Sequence, residues 1–295
     1  MIITKIVGGL GNQMFQYAIG RAAAEKHGLP LLLDTYDFKT YRRPYFLDKF
    51  NIKEDYLLDA EAAKYRKYEK RHSPRLLWEN LKPIKQRVYR LEKPKEYFKF
   101  IPDFLVPASN RDTYFNGYWQ NDRYFSEIRN ILLDEFTLKP KHAIGHGELL
   151  GKALSQGSIS LHFRRGDDQI NKIYGAPSLE YYRNSITRIA ERQPNDDLKL
   201  LIFTNDVEWV KQNAHFDIPS TYVSEQGKLT DYQELMLMSC CHHNIIANST
   251  FSWWAAWLND KPNRIICAPD PWFINKPDAF ETTGLLPQGW IKIKT

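Results

Sequence analysis

The sequence predicts an α/β protein built on parallel sheets and divided into two halves. Three observations predict it. The chain opens as strand, glycine-rich turn, helix and strand between Ile2 and Leu33. From residue 158 onward, strands alternate with helices at the spacing of crossover units. Between these parts, residues 137–157 carry Pro140, Gly145, Gly147, Gly151 and Gly157, the punctuation of a crossover between halves. The expected domains are therefore 1–145 and 146–295.

Taken in order, Ile2 to Val7 reads as a strand and Gln13 to Lys26 as a helix, with Met14, Ala18 and Ala22 on its apolar side. Gly28 closes that helix as its C-terminal glycine, and Leu31 to Leu33 form the second strand. Residues 34–63 show little periodicity. In TYFNGYWQNDRYFSEIRNILLDEF, residues 113–136, alternation up to Trp119 predicts a strand and Tyr124 to Phe136 an amphipathic helix. In the second half the expected strands are 158–163, 199–204, 221–223, 243–247 and 264–268. The expected helices are 178–192, 206–213, 231–241 and 249–259. Such sheets bind ligands at the carboxyl ends of their strands.

Composition narrows the function. The chain has 295 residues, 43% hydrophobic and 26% charged, which is enough to bury a core and excludes a disordered chain. Three cysteines, with Cys240 and Cys241 adjacent, make no disulfide framework and fit a reducing, cytoplasmic setting. No apolar run reaches membrane-spanning length, and MIITKIV lacks the pattern of a signal peptide. The net charge of +6 suits a phosphorylated or polyanionic partner. Residues 64–100 hold thirteen Lys and Arg against four Glu, a surplus larger than that of the whole chain. A solvated helical pair accounts for this. A patch for anionic lipid headgroups, giving peripheral membrane contact, accounts for it too. Nucleic acid is not expected, because no recognition motif accompanies the charge.

Four motifs carry chemistry. HFRRGDD, residues 162–168, follows a strand, and paired arginines at a strand end suit a diphosphate through their two-pronged donor geometry. Asp167 could orient one arginine; a surface Arg–Asp network would use the same residues. NSTFSWWAAWL, residues 248–258, offers Asn248, Ser249 or Thr250 as a helix cap and the helix start as a phosphate seat. Ser249, Thr250, Phe251 and Ser252 are read as ligand contacts, and Trp253, Trp254 and Trp257 as packing. GGLGNQ, residues 8–13, fits neither the dinucleotide fingerprint nor a P-loop. In FTND, Asn205 or Asp206 could reach a ribose, and Asp231 or Glu234 could accept from a purine edge. His242 and His243 lack metal spacing, and no HExxH or CxxC occurs, so no metal site is expected.

Together GGLGNQMFQYA, GYWQNDRYF, HFRRGDD, NSTFSWWAAWL and RIICAPDPWF resemble the bacterial α-1,2-fucosyltransferases, the family shared with the blood-group H enzymes. The resemblance runs from about residue 6 to residue 273. It implies a GT-B-like pair of Rossmann-like domains facing a cleft, the C-terminal one binding the nucleotide sugar. It implies GDP-β-L-fucose as donor, no metal, and inverting transfer to the 2-hydroxyl of a galactose-terminated oligosaccharide or lipid-linked glycan. His162 would then contact guanine or ribose, Arg164 the β-phosphate with Arg165 in support, and Glu234 the guanine. Asn12, Gln13 and the backbone of Gly9 and Gly11 would face the donor across the cleft. The base for the acceptor hydroxyl stays open: Asp167 and Asp168 lie nearest, and QINK stands where some relatives place a glutamate. A transferase of another linkage, such as α-1,6, and a non-catalytic glycan- or polyanion-binding module are the competing readings.

Overall fold

The computed structural model describes Met1 to Thr295 apart from residues 71–72, 110, 146, 166–173, 194–196, 227–228, 277 and 279. Its contacts divide it into two units, Met1–Thr137 with Glu281–Pro287, and Leu138–Phe280 with Gln288–Thr295. The division thus falls slightly before residue 145, and a late segment returns to the first unit. That return has a packing cause. A Cβ added at Gly284 would meet the Phe98 carbonyl oxygen at 2.0 Å, so only glycine fits there. Lys99 also pairs with Glu281 at 2.9 Å.

In the first unit, β1 (Ile2–Lys5), α1 (Leu10–His27) and β2 (Leu31–Asp34) follow the expected order. Helix α1 begins earlier than its apolar period implies, with Gly9 as its N-cap. Gly28 closes it in the left-handed conformation, φ 61°. Helices α2 (Asp59–Arg66) and α3 (Pro74–Leu81) precede β3 (Tyr89–Leu91) and β4 (Thr113–Asn116). The strands pair in parallel in the order β2-β1-β4-β3.

Two expectations change here. The single helix predicted from Tyr124 to Phe136 is two short 3-10 turns followed by α4 (Arg129–Glu135). Phe125 breaks it: its φ of −137° leaves the helical region while its buried ring packs on Phe15 at 6.0 Å. The basic stretch is also not simply a solvated helical pair. Arg66 binds both oxygens of buried Asp34 at 2.9 and 3.0 Å and reaches Asp37 at 3.1 Å. Fully buried Arg90 donates to the carbonyls of Asp103, Phe104 and Val106, and burial pulls it down to about 10. Tyr65, Tyr114, Tyr89 and Tyr68 stack in sequence beneath these helices, 4.6 to 5.1 Å apart.

The second unit starts with α5 (Gly147–Leu154), where a glycine-rich crossover was expected. Its glycines conceal an apolar face, Leu149 and Ala153, both buried. Then come β5 (Ser158–Phe163), α6 (Leu179–Arg192), β6 (Lys199–Thr204), α7 (Val207–Asn213) and β7 (Ser220–Tyr222). They are followed by α8 (Asp231–Cys240), β8 (His243–Ile245), α9 (Thr250–Leu258), β9 (Ile266–Asp270) and β10 (Ile291–Lys294). All pairings are parallel, in the order β10-β9-β8-β5-β6-β7. Buried Ile159, Leu161, Leu200, Ile202 and Ile245 form the sheet's share of the core. Trp253 and Trp254 are wholly buried, as packing residues should be.

Candidate functional site

The strand order fixes where the second unit can bind a ligand. From β5 the chain steps to β6 and β7 on one side, then returns to lay β8, β9 and β10 on the other. The reversal falls between β5 and β8, and at such a switch point the loops part and leave a crevice at the carboxyl ends. His162 and the two arginines end β5, and Ser249 begins the turn after β8. Two distant sequence motifs thus meet because their strands are neighbours.

His162 is buried, its ring 5.7 Å from that of Phe251 at the start of α9. Its carbonyl accepts from the Tyr182 hydroxyl at 3.0 Å, and its Nδ1 has no hydrogen-bond partner among the described residues. Burial, aided by the nearby Arg164 guanidinium, pushes the imidazole down to about 3, so the ring is neutral near pH 7. Leaving a buried ring nitrogen unpaired costs about 1–3 kcal/mol, and here the nitrogen lies near the end of β5, beside the switch point.

Arg165 is tightly positioned. Its guanidinium lies 3.5 Å from the centroid of the Trp209 ring and its Nε 3.4 Å from Asp206. Its backbone N–H donates to Asn205 Oδ1 at 2.9 Å, and Asn205 Nδ2 donates back to the Arg165 carbonyl. Asp206 is therefore already engaged: its Oδ1 also caps α7 by accepting from Trp209 N at 3.2 Å. Asn205 and Asp206 thus shape the arginine loop. Asp167 lies outside the described residues, as do Asp168 and QINK; Asp206 is the carboxylate seen beside Arg165.

The start of α9 presents Ser249, Thr250 and Phe251 part-exposed, with Ser249 Oγ accepting from Phe251 N at 3.4 Å. The N-terminal end of this nine-residue helix carries partial positive charge and suits a phosphate. The flanking residues have internal duties. Asn248 Nδ2 reaches the carbonyls of Tyr174, Gly175 and Trp272 at 3.0–3.2 Å. Buried Ser252 lies 3.4 Å from the carbonyls of Ala247 and Ser249. Half-buried Glu234, in the first turn of α8, accepts from the Ser224 hydroxyl, which itself accepts from Thr204 N at 3.1 Å at the end of β6. Burial raises this carboxyl to about 7. Among the described residues, no group of three His, Cys, Asp or Glu is placed to hold a metal.

The first unit gathers the other motifs at the ends of its own strands. Gln13 is fully buried: Nε2 donates to the carbonyls of Gly8 and Pro44 at 2.9 and 3.0 Å, and Oε1 accepts from Phe46 N at 2.9 Å. It holds the loop closed from within and has no surface for a donor. Gly11 is buried inside α1. A Cβ on Gly9 would come within 2.7 Å of the Arg43 guanidinium, so that glycine admits a close approach. Asn12 Oδ1 accepts from Gln120 at 3.1 Å, and Gln16 bridges Val7 N to the Gly117 carbonyl at 2.9 and 3.1 Å. These amides tie GGLGNQ to GYWQ. The same strand ends contain Glu92, which sequence reasoning missed; in the chain it is one acid among many bases, and only its burial singles it out.

The model of glycosyl transferase family 11 matches residues 1–293. An alpha-1,2-colitosyltransferase of Escherichia coli is 32% identical over 304 residues, covering 100% of this chain and 99% of that protein. The O-antigen biosynthesis glycosyltransferase WbnK of Escherichia coli is 29% identical, covering 90% and 93%. Galactoside alpha-(1,2)-fucosyltransferase 2 of the gorilla is 24% identical, covering 95% and 77%. Among solved structures, NodZ alpha-1,6-fucosyltransferase soaked with GDP-fucose superposes with a TM-score of 0.52 at 14% identity, covering 87% and 91%. That likeness is one of fold, of the GT-B type.

Proposed function

Because the chain belongs to glycosyl transferase family 11, we propose that it transfers L-fucose with inversion from GDP-β-L-fucose to the 2-hydroxyl of a galactose-containing glycan, without a metal ion. The observation that carries this reading is the switch point, where the arginine-bearing end of β5 adjoins the start of α9. As the C1–O bond of the donor breaks, its electron pair leaves with GDP. Arg164 and the first N–H groups of α9 are suited to offset that growing charge in a fixed arrangement. Arg165, held by Trp209 and Asp206, supports the loop that presents Arg164. Neutral His162 offers one ring nitrogen, and Glu234 a carboxylate, to base or ribose. In this reading the first unit supplies the acceptor side.

The test is GDP release from GDP-fucose in EDTA, with and without lactose, using Arg164→Ala as control. Acceptor-stimulated release should fall by about a hundredfold or more in the variant, on the scale of losing one oxyanion donor. No release together with no GDP binding overturns the reading. The E. coli relative named for colitose supports a second donor reading, a GDP-linked colitose; a higher turnover with that donor than with GDP-fucose would establish it.

A separate observation bears on location. Helix α3 is inverted: Glu79 is buried while Leu77, Trp78 and Leu81 are 63%, 66% and 79% exposed. Exposed Arg75, three residues before Trp78, shares that side of the helix. A basic, aromatic and aliphatic face of this kind fits an anionic bilayer surface, whereas a second copy would bring like charges together. Among the described residues no helix is long and apolar enough to cross a membrane. Co-sedimentation with phosphatidylglycerol vesicles, weakened severalfold by Trp78→Ser with Leu81→Ser and absent with phosphatidylcholine, is the expected result. Equal binding by the variant overturns it.

A further inference from the structure

At the carboxyl ends of β1, β4 and β3 in the first unit there is a cavity of about 250 Å³. Its walls include Lys5, Asp37, Glu92, Tyr97, Asn116 and Tyr118. Glu92, one residue beyond β3, is 5% exposed. Its Oε2 accepts from the backbone N–H groups of Tyr118 and Trp119 at 2.7 and 3.1 Å. Its Oε1 has no hydrogen bond, and the carboxyl no ion pair, among the described residues. That oxygen is not enclosed by protein: Glu92 lines the cavity, and a carboxyl oxygen with lone pairs to spare accepts from a donor placed there.

The lining selects the chemistry of the occupant. Lys5 is bound by Asp37 and Glu69, each at 2.9 Å, so its charge is matched already. An anion would meet Glu92 and Asp37, and a cation would meet the Lys5 ammonium. A neutral ligand rich in hydroxyls satisfies both signs at once. Tyr97 and Tyr118, 6.4 Å apart, add ring faces and edges for the C–H side of such a ligand. The volume is below the ~300–1,000 Å³ of pockets for drug-sized molecules and suits a single sugar ring.

We propose that this cavity is the seat of a neutral pyranose of the acceptor, with Glu92 Oε1 accepting a hydrogen bond from one of its hydroxyls and the Tyr97 ring packing against it. The assignment of the sugar as an acceptor rests on the transferase reading; the existence of the sugar site does not. Glu92 is also held near neutrality, because burial raises it to about 7 despite its two backbone donors. A group of that strength both accepts a hydroxyl hydrogen bond and can take the proton when the oxygen reacts.

The experiment is saturation-transfer NMR on the full chain with methyl β-D-galactopyranoside, with and without GDP, for the wild type, Glu92→Gln and Tyr97→Ala. Part-exposed Tyr97 can be truncated without opening the core, so it serves if Glu92→Gln folds poorly. The expected result is transfer to the sugar in the wild type and about tenfold weaker binding in each folded variant, the scale of one ordinary hydrogen bond for Glu92→Gln and of one lost ring contact for Tyr97→Ala. The GDP-induced thermal shift should be unchanged in both. Sugar binding that survives both substitutions, or no transfer in the wild type with or without GDP, overturns the proposal. Loss of sugar binding in the variants of a protein that never binds GDP would uphold this site and sink the nucleotide-sugar reading instead.

Discussion

The two units share a parallel α/β plan, yet they treat the polar groups at their strand ends differently. In the first, side-chain amides bond to the loops themselves: Gln13 to residues 8, 44 and 46, Asn12 to Gln120, Gln16 to Val7 and Gly117. In the second, charge accumulates at the switch point, and His162 keeps an unpaired ring nitrogen. The lesson is that a loop rich in glycine and amides can be a self-contained scaffold, whereas a loop whose polar atoms remain unmatched has been shaped around something else. Glu92, with one carboxyl oxygen bonded to the turn at Tyr118 and Trp119 and the side chain lining a cavity, is the first unit's counterpart.

The largest effect separating the units should come from Arg164→Ala, whose loss of turnover was given above and whose melting temperature should stay close to that of the wild type. Gln13→Ala should show the converse. It removes three buried hydrogen bonds and strands the carbonyls of Gly8 and Pro44 and the N–H of Phe46, each worth about 1–3 kcal/mol when left unmet. A clear drop in urea midpoint with a smaller loss of GDP affinity is the expected outcome. Normal stability in this variant would break the distinction between scaffold and site.

The smallest effects concern pH, and they run in opposite directions. His162 sits at about 3 in the fold against an ordinary 6.5. The unfolded chain therefore binds its proton first, and its contribution to stability is full above 6.5 and declines as pH falls toward 3. Glu92 sits at about 7 against 4.5, so the folded state holds its proton longer. Its contribution is full below 4.5 and declines as pH rises through 7. Denaturation midpoints across pH 3–8 should show a shallower acid limb for His162→Asn and a shallower neutral limb for Glu92→Gln. Parallel curves for wild type and variant would remove the burial argument for that residue.

Much of this was legible in the chain. The expected bounds of β5 and β6 agree with the structure to the residue, and α6 to α9 lie within a residue or two of expectation. Their periodicity is strong because each buries a whole face. The weakly patterned parts were misread for the same reason reversed. Helix α5 carries two glycines, and Phe125 breaks a run whose apolar spacing looks helical.

The sequence by itself determined the alternation of strands and helices, the motifs at the strand ends and the family they resemble, because these depend on neighbours along the chain. The tertiary structure alone decided which side chains remain to meet a ligand. Asp206, Asn248 and Gln13 are polar residues in the expected motifs, but partners up to 74 residues away already engage them. Glu92 lies in a run of bases and reads as surface, but strand pairing buries it against the turn at Tyr118 and Trp119. Hydrogen-bond satisfaction is a property of distances in space, and spacing along the chain does not encode it.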